Sequence, residues 1–456
     1  MHELIAEAQT SEERFLRQIF VRDQMAEWSK NPLLMARADG VFYWDVAGKR
    51  YLDALSGIYT VSVGHNNRRV IEAIKKQLDT LHFSPPMHGT NPVAVQLANL
   101  IAEVAPGDLN TVKFECSGSE VTEAAIKMAR QYHKLTGNPG KYKIISRYLS
   151  WHGSTLGALS ASGLKGRKTV NEPLAPGFLH VFPPTCYRCP FGKTYPSCEI
   201  TCATLVNDVI EMEDPATVAA VMVEPIGHTG GIIDPPPEYL RILREMCTKH
   251  NVLLIFDEII TGMGRTGQLF AADTFGVLPD VICTAMGLSG GFAPLSALIC
   301  RKPIADAFWG PAETNPGFVE GHTFEGNPVS CAAGIAVLRE ILDNDLCANA
   351  RRQGERLRAG FQRLADRFGV IGDIRGKGLM QGIEFVKDLK TKERFPATPG
   401  FGMRVGRRAL ANGLLCRFDP HWLAFGPALN VTGEQVDEMV ALLEKCIAEV
   451  MEEKAV

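Results

Sequence analysis

The chain has 456 residues, of which 46% are hydrophobic and 22% are charged, and its formal net charge is −3. This length exceeds one ordinary domain, and the composition is typical of a globular enzyme that buries a sizeable core. The near-neutral charge and the lack of a long lysine or arginine run argue against nucleic acid and against an anionic membrane as partners. A reaction on small molecules is therefore the expected function.

The first residues, MHELIAEAQTSEERFLRQ, carry acids where a secretory signal has basic and then apolar residues. No apolar run approaches the roughly 18 residues that a membrane span requires. Twelve cysteines in such a chain are expected to be reduced thiols, so the sequence predicts a cytoplasmic protein.

Four cysteines cluster in CYRCPFGKTYPSCEITC, where Cys186, Cys189, Cys198 and Cys202 have two, eight and three residues between them. Zinc sites use close pairs of this kind, although the eight-residue spacing is loose. A proline-containing surface loop with reduced thiols explains the same pattern. We expect that loop and no metal, and the zinc site stays open as the alternative.

From about residue 111 the chain alternates short apolar segments with longer segments of helical periodicity. Predicted strands lie at 111–115, 141–147, 218–225, 252–259, 280–285 and 296–300, and predicted helices at 120–135 and 237–250. Continuous apolar strands with helices between them indicate a largely parallel sheet that is covered on both faces. The predicted fold class is therefore α/β.

After residue 321 the pattern changes to long helices, short strands within 376–386, and a closing helix at 434–453. The stretch 396–402 is predicted to be a loop. We predict an N-terminal segment, 1–60, that packs with a small α+β domain at 335–456, and a large domain at 61–334.

Two small turns follow consecutive predicted strands. In CSGSE, Ser117, Gly118 and Ser119 open a helix and offer hydroxyl and amide donors to an anion such as phosphate, although an ordinary N-cap serine explains them too. In LSWHGSTLG, Trp151 could lie over an aromatic ligand, or it could be a buried core residue. Both turns fit the rule that ligands of α/β sheets bind beyond the carboxyl ends of the strands.

The segment LLIFDEIITGMGRTG places Asp257 at the end of a buried strand. A carboxylate there is costly unless it meets a cation or hydrogen-bond donors. A protonated pyridine nitrogen is one such partner, and the pair would hold the ring as an electron sink. A turn-capping aspartate is the alternative interpretation.

Together these segments resemble the class III aminotransferases, pyridoxal-phosphate enzymes of fold type I that include the ω-transaminases. The similarity extends almost from end to end. Its motifs are GVFYWDVAGKRYLDALSG, VGHNNRRVIEAIKKQL, SGSE, WHGST, VEPIGHTGG, DEIITGMGRTG, GHTFEGNP, RGKGLMQGIE and FGPALNVT.

The resemblance implies a role for each matching residue. Ser117, Gly118 and Ser119 match the phosphate cup, and Trp151 matches the aromatic residue that stacks on the ring, with His152 and Gly153 after it. Glu224 matches the acid near the ring hydroxyl, Asp257 matches the partner of the pyridine nitrogen, and Ile259 matches the residue beneath the ring. Thr323 matches the threonine that reaches the phosphate of the neighbouring subunit. For substrate binding, Tyr59 matches a bulky aromatic, Trp151 stands beside it, and Arg417 falls near a mobile arginine that binds a carboxylate. The match of Thr323 implies a homodimer, alone or as a dimer of dimers.

The family's Schiff-base lysine is absent, because CTAMGLSGG carries Met286 at its position. Methionine has a similar length but no basic nitrogen, so it can neither bond to the cofactor nor carry the proton. Three explanations remain: a deliberate replacement of lysine, a natural pseudoenzyme, or another lysine such as Lys302. The intact cofactor residues nearby favour the first.

The resemblance therefore predicts a pyridoxal 5'-phosphate-dependent ω-transaminase, with a pyridoxamine 5'-phosphate form in its cycle. It would move an amino group from an amine or ω-amino acid to a keto acid such as pyruvate, and Met286 would make this chain catalytically dead. A lyase or racemase of the same family, or a non-catalytic pseudoenzyme, is the alternative. The sequence does not single out the amino donor.

Overall fold

A computed structural model describes residues 24–30 and 32–453. Residues 1–23, where we expect no secretory signal, lie outside the described residues. Within the described ranges, no helix is both long enough and apolar enough to cross a membrane.

The described elements alternate along the chain much as the sequence pattern predicts. The strands are β1 Met35–Asp39, β2 Phe42–Asp45, β3 Arg50–Asp53, β4 Leu109–Glu115, β5 Lys143–Arg147, β6 Phe178–Val181, β7 Val218–Val223, β8 Leu253–Asp257, β9 Val281–Thr284, β10 Ser296–Arg301, β11 Ile371–Lys377, β12 Met380–Phe385, β13 Leu414–Leu415, β14 Arg417–Phe418 and β15 Trp422–Phe425. The helices are α1 Met25–Trp28, α2 Arg68–Thr80, α3 Pro92–Val104, α4 Gly118–Leu135, α5 Leu156–Ala161, α6 Lys165–Lys168, α7 Thr201–Met212, α8 Tyr239–Lys249, α9 Ala271–Phe275, α10 Lys302–Asp306, α11 Pro328–Asp343, α12 Leu346–Phe368, α13 Phe401–Ala411 and α14 Gly433–Glu452. Short 3-10 turns lie at Pro86–His88, Cys186–Arg188 and Met286–Leu288, and Ser56–Tyr59 forms a separate turn.

A seven-stranded sheet in the order β4-β10-β9-β8-β7-β5-β6 forms the centre of the fold. Strand β10 pairs antiparallel with both β4 and β9, and the other pairings are parallel. The predicted α/β class with a largely parallel sheet is thereby confirmed. The parallel strands end at the same edge, which is where the turns that carry the predicted site residues begin.

The sheet is buried on both faces because its strands are apolar at successive positions. In β8, Leu254 and Phe256 belong to one core cluster, whereas Leu253 and Ile255 belong to a second cluster on the opposite side. Side chains alternate across a strand, so a strand with no polar position until Asp257 needs cover on both faces. The helices between the strands supply that cover.

Two smaller sheets flank this core. One has the order β1-β2-β3-β13 and joins the N-terminal strands to Leu414 and Leu415, and the other has the order β11-β12-β15-β14. The division into segments 1–60, 61–334 and 335–456 stays a prediction.

One local prediction is wrong: the stretch 396–402 is not a loop throughout, because α13 begins at Phe401. Gly400 precedes it with a φ of 68°, a conformation that favours glycine. The ring of Phe401 stacks on Phe395 with centroids 4.5 Å apart and meets Phe385 at 5.0 Å. Burial of this aromatic cluster fixes the helix start that the proline- and glycine-containing sequence concealed.

Candidate active site

A cavity of about 140 Å³ lies beyond the carboxyl ends of the central strands. Its wall is formed by Ser117, Gly118, Ser119, Trp151, His152, Gly153, Glu224, Ile226, Asp257, Ile259, Ile260, Thr261 and Met286. The cavity brings together all the residues that the sequence assigned to the cofactor except Thr323. Ile226, Ile260 and Thr261 are additions, and they follow directly from the two strand ends that carry Glu224 and Asp257.

One wall of the cavity is the start of α4. The Ser117 hydroxyl caps this helix by accepting a hydrogen bond from the Glu120 backbone N–H at 3.3 Å. A Cβ on Gly118 would lie 3.1 Å from Ile259 Cδ1, so the backbone and Ile259 are in close contact. The N-terminus of an eighteen-residue helix combines free N–H groups with a positive dipole end, which is the arrangement that binds phosphate.

The second turn is fastened to the first at Gly153. Ser119 Oγ accepts a hydrogen bond from the Ser154 N–H at 2.9 Å. Gly153 has a φ of 148°, and a Cβ there would lie 2.7 Å from Ser119 Oγ and from the Ala158 side chain. Only glycine fits this approach, which explains its position directly after Trp151 and His152.

Asp257 and His152 form a buried pair at the base of the cavity. Asp257 Oδ2 lies 2.6 Å from His152 Nδ1, and Asp257 Oδ1 accepts a hydrogen bond from the Ile259 N–H at 3.1 Å. The backbone of His152 is held in turn, because its N–H donates to Ser162 Oγ at 2.8 Å. The carboxylate that ends β8 is thus fixed in orientation, and its negative charge is available to a cationic group in the cavity.

Glu224 is a second buried carboxyl at the cavity. Its Oε2 has no hydrogen-bond partner, and Arg147 Nη2 lies 3.9 Å from it while also donating to the Glu224 backbone carbonyl. Burial raises the pKa of Glu224 to about 7, although His152 and Arg147 act in the opposite direction. A buried oxygen without a partner faces a cost that a polar ligand group would remove.

Met286 lies in the 3-10 turn directly after β9 and is half-buried in the cavity wall. No lysine is among the described residues that line the cavity. Lys302 begins α10 on the surface, where its ammonium pairs with Asp306 at 2.7 Å. The structure therefore offers no support for Lys302 as a substitute amine.

Three predicted residues lie outside the cavity wall. Tyr59 is buried, with its ring 4.8 Å from that of His228, and its hydroxyl has no hydrogen-bond partner. Arg417 begins β14, 5.7 Å from the Trp422 ring, and its charge acts on the Tyr59 hydroxyl. Thr323 is exposed and is not among the residues that line this chain's own cavity.

Tyr59 is presented by a left-handed turn, Ser56–Tyr59, in which all four residues have φ between 46° and 64°. This left-handed conformation is energetically unfavourable for non-glycine residues, so contacts with the surrounding structure must stabilise it. The buried Arg265 donates to Ser56 Oγ at 3.1 Å, to the Tyr59 carbonyl at 3.5 Å, and to the Pro427 carbonyl. No local sequence pattern indicates this clamp, because Arg265 is 209 residues away from Ser56.

Arg147 is another residue that sequence reasoning missed. It closes the apolar strand β5 and is buried with 2% of its side chain exposed. The sequence does place this arginine at the end of an apolar strand, four residues before Trp151. Because a buried charge needs a partner, that position could have indicated a role for Arg147 near the cavity.

The four clustered cysteines line one small cavity of their own, and all are free thiols. Among the described residues, the one group of three metal-ligating side chains with ligand atoms within 4.8 Å is Glu115, Glu320 and His322. The cysteine sulfurs therefore do not converge to the spacing of a closed zinc site.

Comparisons with known proteins agree with this geometry. A family model for class III aminotransferases matches residues 24–447. A probable aminotransferase of Mycobacterium tuberculosis is 41% identical over 388 residues, which are 85% of this chain and 82% of the relative. The β-alanine–pyruvate aminotransferase of Pseudomonas aeruginosa is 35% identical over 419 residues, covering 90% and 91% of the two chains.

Among solved structures, an amine transaminase from an uncultivated Pseudomonas species, in its pyridoxal-phosphate-bound form, superimposes with a TM-score of 0.90. It is 33% identical, and the match covers 96% of this chain and 99% of that one. The chain belongs to the class III aminotransferase family, with the fold of fold type I and pyridoxal 5'-phosphate as the family's cofactor. The expected family and fold are thereby confirmed.

Proposed function

We propose that this chain is an ω-transaminase-type enzyme that moves an amino group from an amine or ω-amino acid to a keto acid such as pyruvate, and that Met286 arrests it. The observation that carries the proposal is the single cavity that gathers Ser117–Ser119, Trp151, Glu224 and Asp257 beside Met286. Pyruvate is supported by the name of the Pseudomonas aeruginosa relative.

The residues present fit pyridoxal phosphate. The start of α4 supplies N–H donors for the phosphate, and Asp257 supplies a fixed negative charge for a pyridinium nitrogen. Glu224 Oε2, buried and without a partner, suits a polar group on the ring. When bound, this cofactor acts as an electron sink for the bonds at the substrate Cα.

The protein's own part in the reaction would be to bind, orient and move one proton. Trp151 and Ile259, which both line the cavity, would confine the ring, while Asp257 would keep the pyridine nitrogen protonated. The remaining task, proton transfer at the substrate Cα, needs a base in the position of Met286. A thioether has no proton to give or take, so we propose that this chain binds cofactor and substrate without turnover.

We further propose a homodimer in which Thr323 reaches the phosphate of the partner subunit. Thr323 is exposed, and large apolar side chains are exposed around the same segment. Val319 is 66% exposed, Phe324 is 59% exposed with its ring 5.5 Å from Phe83, and Met87 is 93% exposed. Apolar exposure on this scale is typical of a surface that another protein covers.

Free cysteines throughout the described chain are compatible with a cytoplasmic location.

The visible absorption of the protein with pyridoxal phosphate, compared with that of Met286→Lys, tests the proposed function. We expect the lysine variant to gain a cofactor band that an amine bleaches and pyruvate restores, while the unsubstituted chain binds cofactor without cycling. Met286→Leu is the matched control, because it keeps an apolar side chain of similar size and adds no amine.

The amount of keto acid consumed per amine distinguishes a transaminase from a lyase or racemase of the same family. If Met286→Lys eliminates a group from the amino compound without a keto acid, the result would support the lyase, and if it only interconverts the enantiomers, the result would support the racemase. Cofactor binding by the lysine variant with no turnover under any condition would support a natural pseudoenzyme.

A further inference from the structure

The imidazole of His322 lies among three carboxylates. Its Nε2 is 3.1 Å from Glu320 Oε1 and 3.8 Å from Glu115 Oε2, and its Nδ1 is 4.0 Å from Glu120 Oε1. The ring is held by one hydrogen bond to Glu320, and two more carboxylate oxygens lie within 4.0 Å of it. None of these four side chains lines the cavity described above.

Two of these carboxylates belong to the base of the phosphate cup. Glu115 is the last residue of β4, two residues before Ser117, and its side chain is fully buried. Glu120 Oε2 accepts a hydrogen bond from the Cys116 N–H at 2.9 Å, and the Glu120 N–H donates to Ser117 Oγ. His322 therefore lies at ion-pair distance, 3.8 and 4.0 Å, from the two acids that flank the turn Cys116–Ser119.

The other side of His322 is the loop that carries Thr323. The His322 backbone N–H donates to Glu325 Oε2 at 3.0 Å, and the same oxygen lies 2.6 Å from Lys113 Nζ. The loop is thus tied at both ends of a four-residue span, while the Thr323 side chain between them is exposed. A threonine held in this way is presented outward with a fixed backbone.

Lysines occupy the opposite oxygens of the two nearest carboxylates. Lys113 Nζ lies 3.2 Å from Glu115 Oε1, and Lys127 Nζ lies 2.6 Å from Glu320 Oε2. Each carboxylate therefore turns its second oxygen toward His322. Burial raises the pKa of Glu115 to about 7, against the opposing effect of Lys113 and His322. The lysines supply the positive charge that a bound cation would otherwise bring, which favours an imidazole clamp over a metal site.

We propose that His322 is a positioning residue that links the two active sites of the dimer. By tying the Thr323 loop to the base of this chain's own cup, it sets the geometry of the threonine that completes the partner's phosphate site. This inference rests on the proposed function, because it takes from there both the homodimer and the contact of Thr323 with the partner's phosphate.

The test uses the Met286 protein, whose pyridoxal phosphate binding is measured by equilibrium titration rather than by turnover. In the His322→Gln homodimer we expect affinity for pyridoxal phosphate to fall at least about tenfold, since the ring contacts that hold the Thr323 loop are lost. His250→Gln is the matched control, because His250 bonds to Asn207 at 2.9 Å and lies outside this network. Unchanged affinity in His322→Gln would overturn the inference.

Heterodimers with two different tags then locate the effect. One subunit carries His322→Gln and the other carries Ser119→Asp, which places a carboxylate at the phosphate position of its own cup. If His322 acts on the partner's site, both lesions fall on the same site, and one tight site per heterodimer remains. If His322 acts on its own site, no tight site remains, and the inference is overturned.

The reciprocal heterodimer has both substitutions in one subunit and an unsubstituted partner. Here the inference predicts no tight site, whereas a role for His322 in its own cup predicts one. When Thr323→Ala replaces His322→Gln, each heterodimer should keep the number of tight sites predicted above for it: one in the first heterodimer and none in the reciprocal one. The reason is that the effect of His322 passes through Thr323.

Failure of the inference can be told apart from failure of the proposed function. If the unsubstituted dimer binds pyridoxal phosphate but the counts follow the other pattern, only the inference is wrong. If the unsubstituted protein is a monomer or binds no cofactor, both are wrong. Loss of affinity on adding a chelator to the unsubstituted dimer would assign the Glu115, Glu320 and His322 group to a metal and would overturn the clamp.

Discussion

His152 Nδ1 lies 2.6 Å from Asp257 Oδ2, and both side chains are almost completely buried. Because the other oxygen of Asp257 accepts the Ile259 N–H, both carboxylate oxygens are hydrogen-bonded and the side chain is held in one orientation. A rigid negative charge in a low-dielectric cavity acts more strongly on a cationic ligand group than an exposed one. This relationship makes Asp257 the residue whose charge the proposed chemistry depends on most.

Asp257→Asn in the Met286→Lys protein should lower the rate of transamination by on the order of 100-fold or more, because it removes a preorganised charge. The variant keeps the shape of the side chain, so the melting temperature should change by only a few degrees. Steady-state kinetics with an amine and pyruvate measure the effect. Asp273→Asn, on α9, is the control, and a near-normal rate in Asp257→Asn would remove Asp257 from its proposed role.

Thr323→Ala should weaken retention of pyridoxal phosphate without altering the oligomeric state. The lost group is one hydroxyl, which corresponds to about a tenfold increase in the dissociation constant. Titration of cofactor fluorescence measures affinity, and light scattering measures the mass of the particle. Thr323→Ser, which keeps the hydroxyl, should restore binding, and a monomeric protein would leave the shared phosphate site without a basis.

Glu224 predicts a pH-dependent stability. Its pKa in the folded state, about 7, lies above the ordinary glutamate value of 4.5, so the folded state binds more protons between those pH values. The free energy of unfolding therefore loses this contribution as pH rises from about 4.5 to about 7. The Glu224→Gln variant lacks this pH-dependent loss. Its free energy of unfolding, measured relative to that of the unsubstituted protein, should therefore rise by roughly 3 kcal/mol between pH 4.5 and pH 8.

Urea unfolding of both proteins across this pH range measures the difference. The substitution Glu103→Gln at an exposed position is the matched control and should leave the profile unchanged. A constant stability difference between Glu224→Gln and the unsubstituted protein at all pH values would contradict the prediction.

Gly426→Ala should displace the ring of Tyr59. A Cβ at position 426 would lie 2.1 Å from Tyr59 Cε1, which is far inside van der Waals contact. Overpacking of this kind costs about 1–3 kcal/mol, and the melting temperature should fall by several degrees. Gly166→Ala is the control, because nothing lies within 4 Å of a Cβ there. Combining Gly426→Ala with Tyr59→Val should recover part of the loss, and strict additivity would argue against the contact.

Much of the cavity could be predicted because its residues sit at the ends of strands that are visible in the sequence. Five successive apolar residues before Asp257, the last four of them in β8, indicate a buried strand and a carboxylate that needs a partner. Ser117 and Trp151 follow their strands in the same way. Local sequence is informative where the sheet topology alone brings such ends together.

Other contacts depend on segments that are distant in sequence and leave no local pattern. Nothing in GHTF indicates that His322 turns toward Glu115 rather than toward solvent, since that contact requires the folded loop. Likewise Gly57 signals a turn, but the positive φ of Ile58 and Tyr59 follows from the clamp by Arg265. The antiparallel direction of β10 also escapes prediction, because an apolar run does not reveal its orientation.

The pairing of β3 with β13 has a consequence for how the protein is made. Leu52 lies beside Leu414 in a parallel pair, the Leu52 N–H donates to the Gly413 carbonyl, and the Gly426 N–H donates to the Ala54 carbonyl. A ribosome that has released residue 54 must synthesise some 360 more before these partners exist. The central sheet, complete by Arg301, can form during that interval. The turn that presents Tyr59 is therefore completed last, so a chain truncated before Leu414 would lack a properly formed Tyr59 turn even with its cofactor cup assembled.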